Sequence, residues 1–123
     1  MARILVIDDE AVVRHAVVRM LTAAGHDVRE ADGGAAALGL WHDGDADLVV
    51  TDIAMPDMTG FELIGVLRSE GATVPIIAMS GSLVASDIEL LGQIKSLGAV
   101  LLGKPFTFDQ LTAAVNVALS ATT

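Results

Sequence analysis

Leu48-Val49-Val50-Thr51-Asp52, followed after a short loop by Thr59-Gly60-Phe61-Glu62, decides the fold class of this chain. An unbroken apolar, β-branched run that stops on a carboxylate reads as a strand buried on both faces, the kind found in parallel sheets. The loop holds Met55-Pro56-Asp57, and Thr59 with Glu62 then has the form of a capping box. The helix it opens runs through Leu63, Ile64 and Leu67 to Gly71. Working outward, the same strand-then-helix unit recurs on both sides. Ile4-Leu5-Val6-Ile7 ends on Asp8-Asp9, and Val13, Val17, Met20, Leu21 and Ala24 then repeat at helical spacing as far as Gly25. A weaker strand is expected over residues 27–31, after which Asp32 is placed to cap a short helix carrying Ala35, Leu38 and Trp41, weakened by Gly33, Gly34 and Gly39. On the other side, residues 74–79 form a strand with Pro75 near its start. Ser86 with Glu89 has the form of another capping box, before Leu90, Leu91, Ile94 and Leu97, and Gly98 closes that helix. A last strand over 99–103 precedes a helix opened by Thr107 and Gln110 and lined by Leu111, Ala114, Val115 and Leu119. Fivefold strand–helix alternation predicts an α/β fold with one parallel sheet covered by helices on both faces.

Composition agrees with that architecture. A chain of 123 residues is one domain's worth and buries about two-thirds of its open-chain surface on folding. Hydrophobic residues make up 53% and aromatics only 3%, so the core is built from Ala, Val, Leu and Ile. The absence of cysteine excludes a disulfide framework, a thiol nucleophile and a Cys-based zinc site. Seven Lys and Arg against 16 Asp and Glu leave a net charge of -9, which disfavours direct contact with nucleic acid or an anionic membrane surface. The longest uncharged stretch, 71–86, is broken by Pro75 and Gly81 and is too short to span a bilayer, and residues 1–7 lack the pattern of a secretory leader. A cytoplasmic location is the expectation.

In open α/β sheets ligands bind beyond the carboxyl ends of the strands. Those ends carry Asp8-Asp9, Asp52, Ser80 and Lys104-Pro105, so three carboxylates, a hydroxyl and an ammonium are expected at one edge. Carboxylates held together repel one another unless a cation intervenes, and Mg²⁺ is the natural one because it takes oxygen ligands from carboxylates, water and phosphate. Such a site suits phosphoryl transfer. No His, Cys or activated Ser stands at a strand end, which leaves a carboxylate as the nucleophile, Asp52 foremost.

Val6-Ile7-Asp8-Asp9-Glu10, Thr51-Asp52-Ile53-Ala54-Met55-Pro56-Asp57-Met58-Thr59-Gly60, Met79-Ser80-Gly81 and Lys104-Pro105-Phe106 together closely resemble the motifs of the receiver domain of two-component response regulators, over essentially the whole chain. The resemblance implies a doubly wound, flavodoxin-like sheet of strand order 2-1-3-4-5 with five helices. It implies that Asp52 is the phosphoacceptor, taking phosphate from a histidine kinase or a histidine phosphotransfer protein. Asp9, Asp52 and the backbone carbonyl of Ala54 would hold Mg²⁺ (or Mn²⁺), with Asp8 acting through water or as a further ligand. Ser80 would bind a phosphoryl oxygen, Lys104 would pair with phosphate or carboxylate, and the Lys104-Pro105 peptide is a candidate cis bond. Phosphorylation would shift a two-state equilibrium at the face formed by the fourth helix, fifth strand and fifth helix, and an unspecified protein would read it. Residues 1–123 then form a single receiver domain without an output domain, a signalling switch that catalyses only its own phosphorylation and dephosphorylation.

Each of these pieces taken alone has a plainer reading, as a strand end, a turn or a cap, and it is their joint placement that carries weight. His15, His26 and His42 lie away from the strand ends and read as surface or partly packed residues, and Gly33-Gly34 lacks the phosphate-loop pattern. One position departs from the family. Many receivers have an aromatic residue three before the motif Lys, and here it is Leu101, so switching would proceed through Leu101 repacking or through movement of the fourth helix, for which Gly81 and Gly92 give latitude. Positions that influence phosphoryl lifetime in the family are the small Ala54 and Ser82. Two other readings compete: a Mg²⁺-dependent phosphohydrolase with an aspartyl-phosphate intermediate, which would normally need an acid/base carboxylate where Ala54 stands, and a pseudo-receiver that only binds a partner.

Overall fold

A computed structural model describes residues 2–44, 46–55, 58–81 and 88–120. The chain alternates β1 (Arg3–Ile7), α1 (Ala11–Ala23), β2 (Asp27–Ala31), α2 (Gly34–Asp43), β3 (Leu48–Asp52), α3 (Gly60–Ser69), β4 (Ile76–Ser80), α4 (Ile88–Ser96), β5 (Ala99–Gly103) and α5 (Phe108–Ser120). All strand pairs are parallel and the sheet order is β2-β1-β3-β4-β5, as the resemblance implied. Helices cover both faces, so the three inner strands carry no polar face to water, and β3 and β4 are buried at every residue.

Side-chain alternation along each strand divides the core in two. Leu5, Ile7, Val49, Ile76 and Ala78 face Ala37 of α2, Leu63, Ile64 and Leu67 of α3, and Ile94 of α4. Ile4, Val6, Leu48, Val50, Ile77 and Met79 face Val17 and Leu21 of α1 and Leu111, Ala114, Val115 and Ala118 of α5. β2 is an edge strand, and its mostly exposed pattern explains why its sequence signal is weak. Among the described residues no helix is long and apolar enough to cross a membrane.

The helix boundaries follow their caps. Thr59 accepts from the Glu62 backbone N–H at 3.1 Å while the Glu62 carboxylate accepts from the Thr59 N–H at 3.1 Å, and Thr107 and Gln110 make the same reciprocal pair at 3.1 and 2.8 Å. Gly71 and Gly98, at φ +82 and +83, leave α3 and α4 through left-handed turns that a side chain would strain. Two expectations shift. Asp32 does not cap α2: the N-cap residue is Gly33, extended at φ -174, and it offers no side-chain acceptor. The fourth strand begins at Ile76 rather than at residue 74, because Pro75 has no N–H to donate and joins the ladder only by its carbonyl, which accepts from Val49 at 3.0 Å. The Ser86 cap falls outside the described residues.

Thr59→Ala removes one arm of the α3 capping box and should cost about 1 kcal/mol of stability, read as a lower urea midpoint at unchanged slope.

Candidate functional site

Because all five strands are parallel, their carboxyl ends open on one edge, and the chemistry found in the sequence gathers there. Asp8 follows β1 directly and is fully buried, Asp52 is the last residue of β3 at 5% exposure, and Ser80 is the last residue of β4 at 9%. Asp9 is exposed. Lys104 lies one residue beyond β5, its backbone N–H donating to the Ser80 carbonyl at 2.7 Å, which continues the β4–β5 ladder to the site. The Lys104–Pro105 peptide is cis.

The Lys104 ammonium bridges two carboxylates, 3.0 Å from Asp8 Oδ2 and 3.4 Å from Asp52 Oδ1. The other Asp8 oxygen accepts from the Glu10 backbone N–H at 2.9 Å, and the Asp8 N–H donates to the Ala31 carbonyl at 3.2 Å. Asp8 is therefore fixed from three directions. One oxygen each from Asp8, Asp9 and Asp52 lies within 4.8 Å of the others. That spacing and the all-oxygen donor set fit a hard divalent cation such as Mg²⁺, while one ammonium, paired with Asp8 and Asp52, against three acids leaves net negative charge for it to neutralise.

Burial pushes the Asp52 carboxyl above its ordinary range; Lys104 opposes the shift, Asp8 adds to it, and a hydrogen bond from the Ala54 backbone N–H opposes it. Burial alone would lower the Lys104 ammonium, but its hydrogen bond to Asp8 and the charges of Asp52 and Asp8 outweigh that and raise it. A carboxyl group with a raised pKa in the folded state binds its proton more tightly folded than unfolded. Folding stability then falls as pH rises from the ordinary carboxylate range through the raised folded-state value, and the cost is fully present above it. Asp52→Asn should consequently raise the thermal midpoint of the metal-free protein at neutral pH by a few degrees, a gain that disappears in melts run below the ordinary carboxylate range.

The remaining residues singled out in the sequence fall as follows. Ala54 is exposed and turns its N–H toward Asp52. Leu101 sits opposite Ala78 in the β4–β5 register and packs, half-buried, on the core between sheet, α3 and α4. Gly81 is exposed, and a Cβ on Gly34 would run into Met58, so that glycine serves packing. None of the histidines joins the cluster: His26 accepts from the Ala2 N–H at 3.1 Å, His42 faces Glu70 at 3.0 Å, and His15 lies 3.5 Å from Glu30. Two contacts that the sequence did not disclose matter here. Arg14 reaches back from α1 to the Asp8 carbonyl at 2.8 Å, and Gly60 abuts the backbone of Asp52. Arg14 had a signal in its place, in the first turn of α1 just beyond the Asp8-Asp9 pair; Gly60 had its place at the end of the Asp52 motif and beside the cap.

Comparison with known proteins gives the same direction. The model of the response regulator receiver domain family matches residues 4–116. A probable transcriptional regulatory protein of Picosynechococcus is 36% identical over 91% of this chain and 47% of its own length. The DNA-binding transcriptional regulator NtrC of Azospirillum brasilense is 36% identical over 99% of this chain and 25% of its own. The chain thus spans about half or less of these relatives. Among solved structures, chemotaxis protein CheY4 of Vibrio cholerae superposes at a TM-score of 0.88 with 30% identity, over 97% of this chain and 99% of that one. A response regulator receiver protein from Pseudomonas putida reaches 0.86 with 34% identity, over 94% and 96%.

Proposed function

The chain belongs to the response regulator receiver domain family, and on that premise we propose that Asp52 accepts a phosphoryl group from a phosphohistidine on a histidine kinase or phosphotransfer protein, in a reaction that needs Mg²⁺ or Mn²⁺. The observation that carries this reading is the Lys104 ammonium held between Asp8 and Asp52 at 3.0 and 3.4 Å, beside a third carboxylate. A third carboxylate beside that pair adds repulsion that a bound cation would relieve.

A carboxylate oxygen of Asp52 attacks phosphorus, the new O–P bond forms as the P–N bond to imidazole breaks, and the bonding pair stays on that nitrogen; the imidazole leaves neutral when its other ring nitrogen carries a proton, and otherwise takes one up from water. Asp8, Asp9, Asp52 and the Ala54 carbonyl would hold the metal ion, whose charge neutralises the carboxylates and the phosphoryl oxygens. Lys104 stands where it can move from Asp52 to an incoming phosphoryl oxygen while keeping Asp8. Ser80, at the end of the neighbouring strand, supplies a neutral hydroxyl donor to the same group. β5 carries Leu101 and runs directly into Lys104, so a change at the phosphate reaches the α4–β5–α5 face, which serves as the output surface for a protein partner. A net charge of -9 favours that protein contact over direct nucleic-acid contact by this domain.

Incubation with Mg²⁺ and a small acyl phosphate donor, followed by intact mass, tests the reading. The wild-type chain should gain the mass of one phosphoryl group, and no gain would overturn it.

A further inference from the structure

We propose that Arg14 is a positioning residue for the acidic pocket: it holds the Asp8–Asp9 peptide so that the Asp9 carboxylate faces Asp8 and Asp52. Its functional meaning rests on the phosphoryl-acceptor reading above.

The three acids are not equally supported. Asp8 is held through both carboxylate oxygens and its N–H, and Asp52 is anchored in the β3 ladder and by Lys104. Asp9 is exposed, and among the described residues its carboxylate has no hydrogen-bond or ion-pair partner. Its position depends on the backbone that carries it. The Asp8 carbonyl and the Asp9 nitrogen belong to one planar peptide, so fixing that carbonyl fixes where Asp9 starts. Arg14 Nη1 donates to this carbonyl at 2.8 Å.

Arg14 is itself held. Its Nε donates to Glu30 Oε1 at 2.8 Å, its side chain is 14% exposed, and Glu30 stands on β2 directly opposite Val6 of β1. A chain of contacts therefore runs from the sheet edge through Glu30 and Arg14 to the peptide between two proposed metal ligands. The planar guanidinium places one donor on each partner, whereas a lysine ammonium is a single point charge on a flexible stem. If Arg14 only packed α1 against β2, a half-exposed ion pair would add little stability and would leave cation affinity alone.

Calorimetric titration of the full chain with Mg²⁺ alone tests this. Arg14→Gln is expected to weaken Mg²⁺ binding by about 10- to 100-fold, the usual effect of removing a group that orients metal ligands, with the thermal midpoint nearly unchanged. Arg14→Lys should recover only part of the loss. Glu30→Gln, which leaves α1 intact and loosens Arg14, should weaken binding in the same direction by a smaller factor. Variants that fold and bind Mg²⁺ as tightly as wild type would overturn the role of Arg14 while leaving the phosphoryl-acceptor reading standing. A wild-type chain that binds no Mg²⁺ would remove both. Should Arg14→Gln fail to fold, the Glu30→Gln titration decides.

Discussion

Asp52→Asn should take up no phosphoryl group under conditions in which the wild-type chain gains one. The substitution keeps the shape of the side chain at the end of β3 and removes two things at once. A carboxamide has no anionic oxygen with which to attack phosphorus, and the site loses one of the three carboxylates that make it attractive to a divalent cation. The loss of uptake cannot be ascribed to unfolding, because the same variant is expected to melt higher than wild type without metal: a carboxylate that burial makes costly has been replaced by a neutral group. Reactivity lost together with stability gained is what distinguishes an acceptor from a structural anchor. Labelling of the variant equal to wild type would show that another residue takes the phosphate.

The opposed signs also explain why this pocket is built as it is. Lys104 compensates part of the buried charge of Asp52, but it is shared with Asp8 and lies nearer to Asp8. Asp52 is thus left under-compensated, its Oδ1 less firmly paired than a structural salt bridge would leave it. Its backbone, meanwhile, is held by the ladder to β4, where Ile53 donates to the Met79 carbonyl at 3.0 Å.

The contents of the site were legible in the sequence because a parallel α/β sheet brings all strand ends to one edge. Knowing where each apolar run stopped was enough to gather Asp8, Asp9, Asp52, Ser80 and Lys104, even though Asp8 and Lys104 are 96 residues apart. What the sequence did not disclose depends on how elements approach one another. Which acid Lys104 would favour, that Arg14 would fold back to the Asp8 carbonyl, and that Gly33 rather than Asp32 would stand at the N-cap of α2 are settled by side-chain reach and by the angle at which a helix leaves the sheet. Periodicity carries neither. The β4 boundary moved for a local reason that the sequence did contain, the missing N–H of Pro75.

The largest stability effect is expected at Gly60, the first residue of α3. A Cβ there would collide with the carbonyl oxygen of Asp52 and meet Ile53 Cα at 2.8 Å and the Asp52 carbonyl carbon at 2.9 Å. These are backbone atoms, so no side-chain rotation relieves the contact. Nor can the backbone retreat at low cost: β3 is paired on both sides, to β1 and β4, and the Gly60 N–H donates to the Ile53 carbonyl at 2.7 Å to close the loop. Gly60→Ala should therefore cost about 3 kcal/mol, at the upper end for overpacking, seen as a lower urea midpoint. Gly65→Ala, in the same helix with nothing within 4 Å of the added carbon, is the control and should be neutral or stabilising by up to about 1 kcal/mol. Whatever relaxation lets the Gly60 variant fold has to move Asp52, already 3.4 Å from Lys104, so the folded fraction should also take up phosphate more slowly. A Gly60→Ala chain as stable and as reactive as wild type would mean that the first turn of α3 does not set the position of the acceptor.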